Sequence, residues 1–160
     1  MNDSRIEKLR DLMTAAVELK RLAGGFCEAF AVKKTWFLAE DYEDSFVDGE
    51  PVGNVWFCPR PSTMQNYIRQ GDLTAVTEKL TVHMTVIFPI SSNSEEAIGR
   101  HVQLTEELID TVRKVACSND YGFVKAEPAH DDWGTPYLFV NMERRNFFTS
   151  IEFQFLTAIQ

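Results

Sequence analysis

Between Val76 and Ile90 the chain alternates, with Val76, Leu80, Val82, Met84, Val86, Phe88 and Ile90 on even positions and Thr77, Lys79, Thr81, His83 and Thr85 on odd ones. Successive side chains of a strand point to opposite faces, so this stretch is predicted to be a long strand with one face in a core. The other face is expected to be wet, at least over the first half. The rest of the chain then has to supply strands to pair with it and a layer to cover its apolar side.

Two stretches read as helices. Ser91-Ser92-Asn93-Ser94 followed by Glu95-Glu96 joins candidate N-caps to acids at the positive end of a helix dipole. That helix is expected to run to about Cys117, burying Ile98, Val102, Leu108, Ile109, Val112, Val115 and Ala116 and exposing the pairs Glu96/Arg100 and Asp110/Lys114. Earlier, Ser4-x-x-Glu7 forms a capping-box pattern ahead of Ile6, Leu9, Met13, Ala16 and Val17, with Leu12 and Leu19 broadening the apolar face and Gly24-Gly25 closing it.

Further strands are predicted over Phe26–Leu38, Val52–Cys58, Tyr121–Glu127, Tyr137–Met142 and Phe147–Ile159. Lys34 interrupts the first and suggests an edge strand or a twist. Pro59-Arg60-Pro61 ends the second, because proline has no ladder donor. Residues 39–51 hold an acidic run without a base and residues 59–75 are polar, with Met64, Tyr67 and Ile68 as apolar points; both are expected to be exposed loops. Strands beside segregated helices imply an α+β fold, with a mostly antiparallel sheet of four to six strands and two main helices on one face. No internal repeat or linker splits residues 1–160, so a single domain is expected.

Composition narrows the function classes. The 160 residues are 44% hydrophobic and 12% aromatic, enough for a sizeable core. The net charge of -8, from 24 acids against 16 bases, gives no phosphate-binding footprint. No stretch approaches the roughly 18 apolar residues of a bilayer span. Met1-Asn2-Asp3-Ser4 does not resemble a signal peptide, so a protein soluble in the cytosol when made is expected. Cys27, Cys58 and Cys117 are odd in number, dispersed and set among apolar neighbours, which predicts reduced, buried thiols.

Motifs with a catalytic mechanism are absent: the chain has no G-x-G-x-x-G, G-x-x-x-x-G-K, G-x-S-x-G, C-x-x-C or H-E-x-x-H. His83 on the polar face of the long strand and His101 on the second helix read as ordinary surface or boundary residues. His130-Asp131-Asp132 alone sets an imidazole beside carboxylates, and sequence neighbours seldom converge on one ion, so a solvated loop is expected there. Asp41, Glu43, Asp48 and Gly49 do not fit the register of a calcium-binding EF-hand loop. No catalytic residue, metal site or cofactor is expected. The pairs Trp36/Phe37 and Trp56/Phe57 must put one large ring on each side of the sheet, and a neighbouring subunit is the economical cover for a second apolar face.

The order of elements resembles the tail-terminator and tail-completion proteins of long-tailed bacteriophages over roughly residues 26–158. Phe30-Ala-Val-Lys-Lys-Thr-Trp-Phe37 leads into the acidic loop, Val55-Trp-Phe-Cys-Pro59-Arg60 is similar to the family's second strand ending at proline, and Arg69 lies in the polar loop that follows. Lys79-Leu-Thr-Val-His-Met-Thr-Val86 enters the long helix, and Arg144-Arg145-Asn-Phe-Phe-Thr-Ser-Ile-Glu-Phe153 looks like the closing strand. The segment Asp131–Asn146, with Trp133 and Pro136, is longer than in a compact terminator.

The resemblance implies a non-enzymatic virion protein, made in the host cytoplasm. It would form a hexameric ring at the head-proximal end of the tail tube, between the tube protein and a head-completion or connector protein. Trp36, Phe37, Trp56, Tyr67, Ile68, Arg69, Arg144 and Arg145 are then expected at oligomer or partner interfaces. Asp41, Glu43, Asp44 and Asp48 are expected to approach a lumen through which DNA passes without specific binding. Another neck or minor tail role, and a small ligand-binding or enzymatic α+β domain with a site in a cleft near His130, Asp131 and Trp133, stand as alternatives.

Overall fold

The computed structural model describes residues 4–35, 45–47, 50–60, 63–66, 76–89, 95–128, 139–141 and 146–159. The elements in chain order are α1 (Arg5–Leu22), β1 (Phe30–Lys34), β2 (Ser45–Val47), β3 (Glu50–Pro59), β4 (Thr63–Asn66), β5 (Val76–Pro89), α2 (Glu95–Ser118), β6 (Gly122–Pro128), β7 (Phe139–Asn141) and β8 (Asn146–Ile159).

One sheet of order β1-β3-β5-β8-β6 organises the chain. Its long alternating strand is central, pairing antiparallel with β3 on one side and along its whole length with β8 on the other. Among the described residues only β1 and β3 run parallel. Short strands extend the sheet: β2 pairs with the start of β3, β4 with the start of β5 and β7 with the start of β8. The fold is therefore α+β, with a mostly antiparallel sheet and two helices on one face. Lys34 closes β1, which pairs with β3 alone among the described residues, matching its expected edge position.

Two short strands modify the expected loops. Ser45–Val47, inside the predicted 39–51 loop, pairs with Glu50–Val52 at the start of β3, and Thr63–Asn66, inside the predicted 59–75 loop, pairs with Val76–Lys79 at the start of β5. Backbone pairing requires no apolar side chains, so an acidic or polar stretch beside a long strand can still complete its ladder. The first strand is shorter than Phe26–Leu38. Phe26 lies outside it, half-buried and edge-on to Phe30 at 5.1 Å between ring centroids.

The helices close one side. Ser4 is extended (φ -66, ψ 118) and its Oγ accepts from the Glu7 backbone N–H at 3.4 Å, capping α1. Gly24, at φ 71, takes the left-handed conformation that lets the chain leave the helix. α1 packs on α2, β1, β3 and β5, and α2 also packs on β6. Leu9, Met13 and Val17 of α1 and Leu104, Leu108, Val112 and Ala116 of α2 meet Phe30, Val55, Phe57, Leu80, Val82, Met84, Val86, Ile151, Phe153 and Phe155 in a single core. Glu78 shares this side of β5 yet is 2% exposed; Arg5 meets both carboxylate oxygens, at 2.8 and 2.7 Å.

The buried stripe of α2 differs from the one expected. His101, Leu104, Thr105, Leu108, Val112 and Ala116 face the sheet, while Ile98, Val102, Ile109 and Val115 are only half-buried. The period was right and its phase shifted, because two polar residues occupy core positions. His101 Nε2 and Thr149 Oγ1 lie 2.8 Å apart, and Thr105 Oγ1 donates to the His101 carbonyl at 2.9 Å. The His101 ring stands edge-on to Phe88 at 5.6 Å. Phe88 in turn lies over Gly53, where a Cβ would meet the ring at 2.5 Å, so β3 needs glycine at this point.

The cysteines depart from expectation as well. None forms a disulfide, but Cys27 and Cys117 are exposed and Cys58 is half-buried. Cys117 follows the buried Ala116 and so turns outward, and Cys27 lies beyond the glycine exit of α1. At the far edge, β6 carries a register shift between Phe123 and Lys125, with Phe123 and Val124 exposed.

Candidate functional site

Chemistry on this chain concentrates on the sheet face without helices. Because β5 and β8 are aligned with His83 opposite Glu152 and β3 and β5 with Cys58 opposite His83, three strands bring polar groups side by side. His83 Nε2 stands 3.1 Å from Glu152 Oε1. Arg60, immediately beyond β3, reaches back with Nε at 3.2 Å and a terminal guanidinium nitrogen at 3.0 Å from His83 Nδ1. Gln154 donates to the second Glu152 oxygen at 2.9 Å, and Lys125 pairs with Glu127 on β6.

The geometry fixes the imidazole. Guanidinium nitrogens only donate, so Nδ1 must be the acceptor, and the proton then sits on Nε2, facing Glu152. Both ring nitrogens are engaged within the chain. This differs from the arrangement of a general base, in which one nitrogen faces a nucleophile or substrate proton. Burial pushes the Glu152 carboxyl up, but hydrogen bonds from His83 and Gln154, with the nearby Lys125 charge, outweigh it and hold the group below its usual range.

Beside this cluster part of the helix-free face is buried, although Cys58, His83 and Glu152 are half-buried and Arg60 is exposed. Asn54, Trp56, Thr85, Ile87, Ser150 and Gln154 are all buried, and the Thr85 and Ser150 hydroxyls lie 3.4 Å apart. Trp56 is on this face, opposite Thr85, as alternation with Phe57 requires; it is 5% exposed, with Lys33 Nζ 5.9 Å from its ring centroid. Its ring is thus enclosed within one chain. The remaining expected interface residues Trp36, Phe37, Tyr67, Ile68, Arg69, Arg144 and Arg145 lie outside the described residues, as do Asp41, Glu43, Asp44, Asp48, His130, Asp131 and Trp133.

In the sequence His83 reads as an ordinary surface or boundary residue, Arg60 only as part of the turn that ends the second strand and Glu152 only as part of the closing strand. The alternation does place His83 on the polar face of its strand. What it lacks is the register that aligns it with Glu152. Among the described residues no group of three or more His, Cys, Asp or Glu is placed to hold a metal ion, and no helix is long and apolar enough to cross a membrane. No protein-family model matches the chain, and no curated protein sequence does.

Proposed function

We propose that the chain is a structural and assembly protein of a long-tailed phage, a tail-terminator subunit that closes into a ring at the head-proximal end of the tail tube. In that reading it meets the tube protein on one side and a head-completion or connector protein on the other, and does no covalent chemistry. The observation that carries the reading is the resemblance over residues 79–86 and 144–153, whose described parts are the two strands paired at the centre of the sheet, with the long helix between them in sequence. The engagement of both His83 nitrogens supports a structural role for the most polar cluster. A ring made from one kind of subunit requires heterologous interfaces, and α1 and β6 carry separate exposed apolar residues suited to that: Leu19 and Leu22 on one, Phe123 and Val124 on the other.

Mass measurement in solution and negative-stain imaging, with and without purified tail tubes, test this. The expected outcome is a ring of about six copies, either free or formed on tube ends. A monomer that leaves tube ends bare and does not alter tube length rules the proposal out.

A further inference from the structure

We propose that Arg60 is a proton-sensitive latch, holding the exit of β3 against the sheet while the His83 ring is neutral and releasing it when the ring takes up a proton. The two guanidinium contacts, at 3.2 and 3.0 Å, converge on the one ring atom that carries a lone pair in the neutral ring. Nε2 is committed to Glu152 at 3.1 Å, so an incoming proton goes to Nδ1. That proton faces the Arg60 donors, cancels both hydrogen bonds and sets two cations about 3 Å apart. His83 is only 12% exposed in its side chain, whereas Arg60 is exposed, so the arginine is the partner free to leave.

The surrounding charges set the balance. On β3, Cys58 stands across from His83, and just beyond β3 Arg60 opposes protonation; on β8, Glu152 favours it; on β6, Lys125 opposes it and Glu127, opposite Glu152, favours it. Arg60 touches the ring directly and is the local counterweight to Glu152. Its own backbone N–H donates to the Thr81 carbonyl at 2.9 Å, which gives the release a separate reporter.

The test is an NMR titration of the His83 ring nitrogens, with amide exchange at Arg60 followed on either side of the midpoint. In the wild-type chain the neutral ring should carry its proton on Nε2. The substitution Arg60→Gln should raise the midpoint by about half a pH unit or more, and Glu152→Gln should lower it. Arg60 amide exchange, corrected for its intrinsic pH dependence, should accelerate about tenfold below the wild-type midpoint. Because Arg60 is exposed, its replacement leaves the core intact. A neutral ring protonated on Nδ1, a midpoint unmoved by Arg60→Gln, or Arg60 exchange unchanged across the midpoint each overturns the latch.

Discussion

His101 shows how one core position ties stability to pH. Burial lowers its pKa to about 4, so the imidazole stays neutral in the folded chain at ordinary pH. In the unfolded chain it protonates near its free value of about 6.5. The unfolded state therefore binds the proton first as pH falls, and stability is lost between about pH 6.5 and 4, by about 3 kcal/mol in total for this group. Above that window the group costs nothing. Urea unfolding at pH 7 and at pH 4.5 should show the loss in the wild-type chain, and a His101→Gln variant should lose about 2 to 3 kcal/mol less between those two conditions. An equal loss in both would mean that the imidazole is not what acid attacks.

Gly53 makes a second residue-scale case. A methyl group there meets the Phe88 ring, which is itself held against His101. Gly53→Ala should cost about 1 to 3 kcal/mol through overpacking. Combining it with Phe88→Leu should recover part of that cost. A double-mutant cycle that is additive within experimental error would show that the two residues do not press on each other.

At the scale of elements, legibility followed length and period. β5, β8 and α2 each repeat a pattern long enough to be read, and their ends fell within a residue or two of expectation. β2 and β4 have three or four residues apiece, fewer than a period-2 pattern needs to stand out, and each pairs with a longer neighbour, whereas β7 falls inside the strand predicted over Tyr137–Met142. The phase of α2 was missed for a different reason. Ranking positions by apolarity favours Ile98, Val102 and Ile109, yet His101 and Thr105 hold buried places, one through Thr149, 48 positions away in the sequence. The polar chain was hidden in the same way: His83 and Glu152 are 69 positions apart, and only the β5–β8 register joins them.

For the whole molecule, the central pair should dominate cooperativity. β5 and β8 lie interior to the sheet and line the core, whereas β1 and β6 end the strand order. Native-state hydrogen exchange should be slowest at the central amides of β5 and β8, where it reports global unfolding, and progressively faster toward β6. Protection in β6 equal to that of β5 would contradict this gradient.

The irregular register of β6 bears on how copies of such a chain can associate. A straight, unbroken edge offers backbone groups to any incoming strand and lets a sheet grow without limit. Between Phe123 and Lys125 the ladder slips, and Lys125 and Glu127 bring charge to the same strand. A foreign strand arriving there finds no continuous row of donors and acceptors to copy. Contact along this border is thereby left to side chains, whose shapes match only particular surfaces. An open-ended fibre is disfavoured by the same register shift that makes the strand look imperfect.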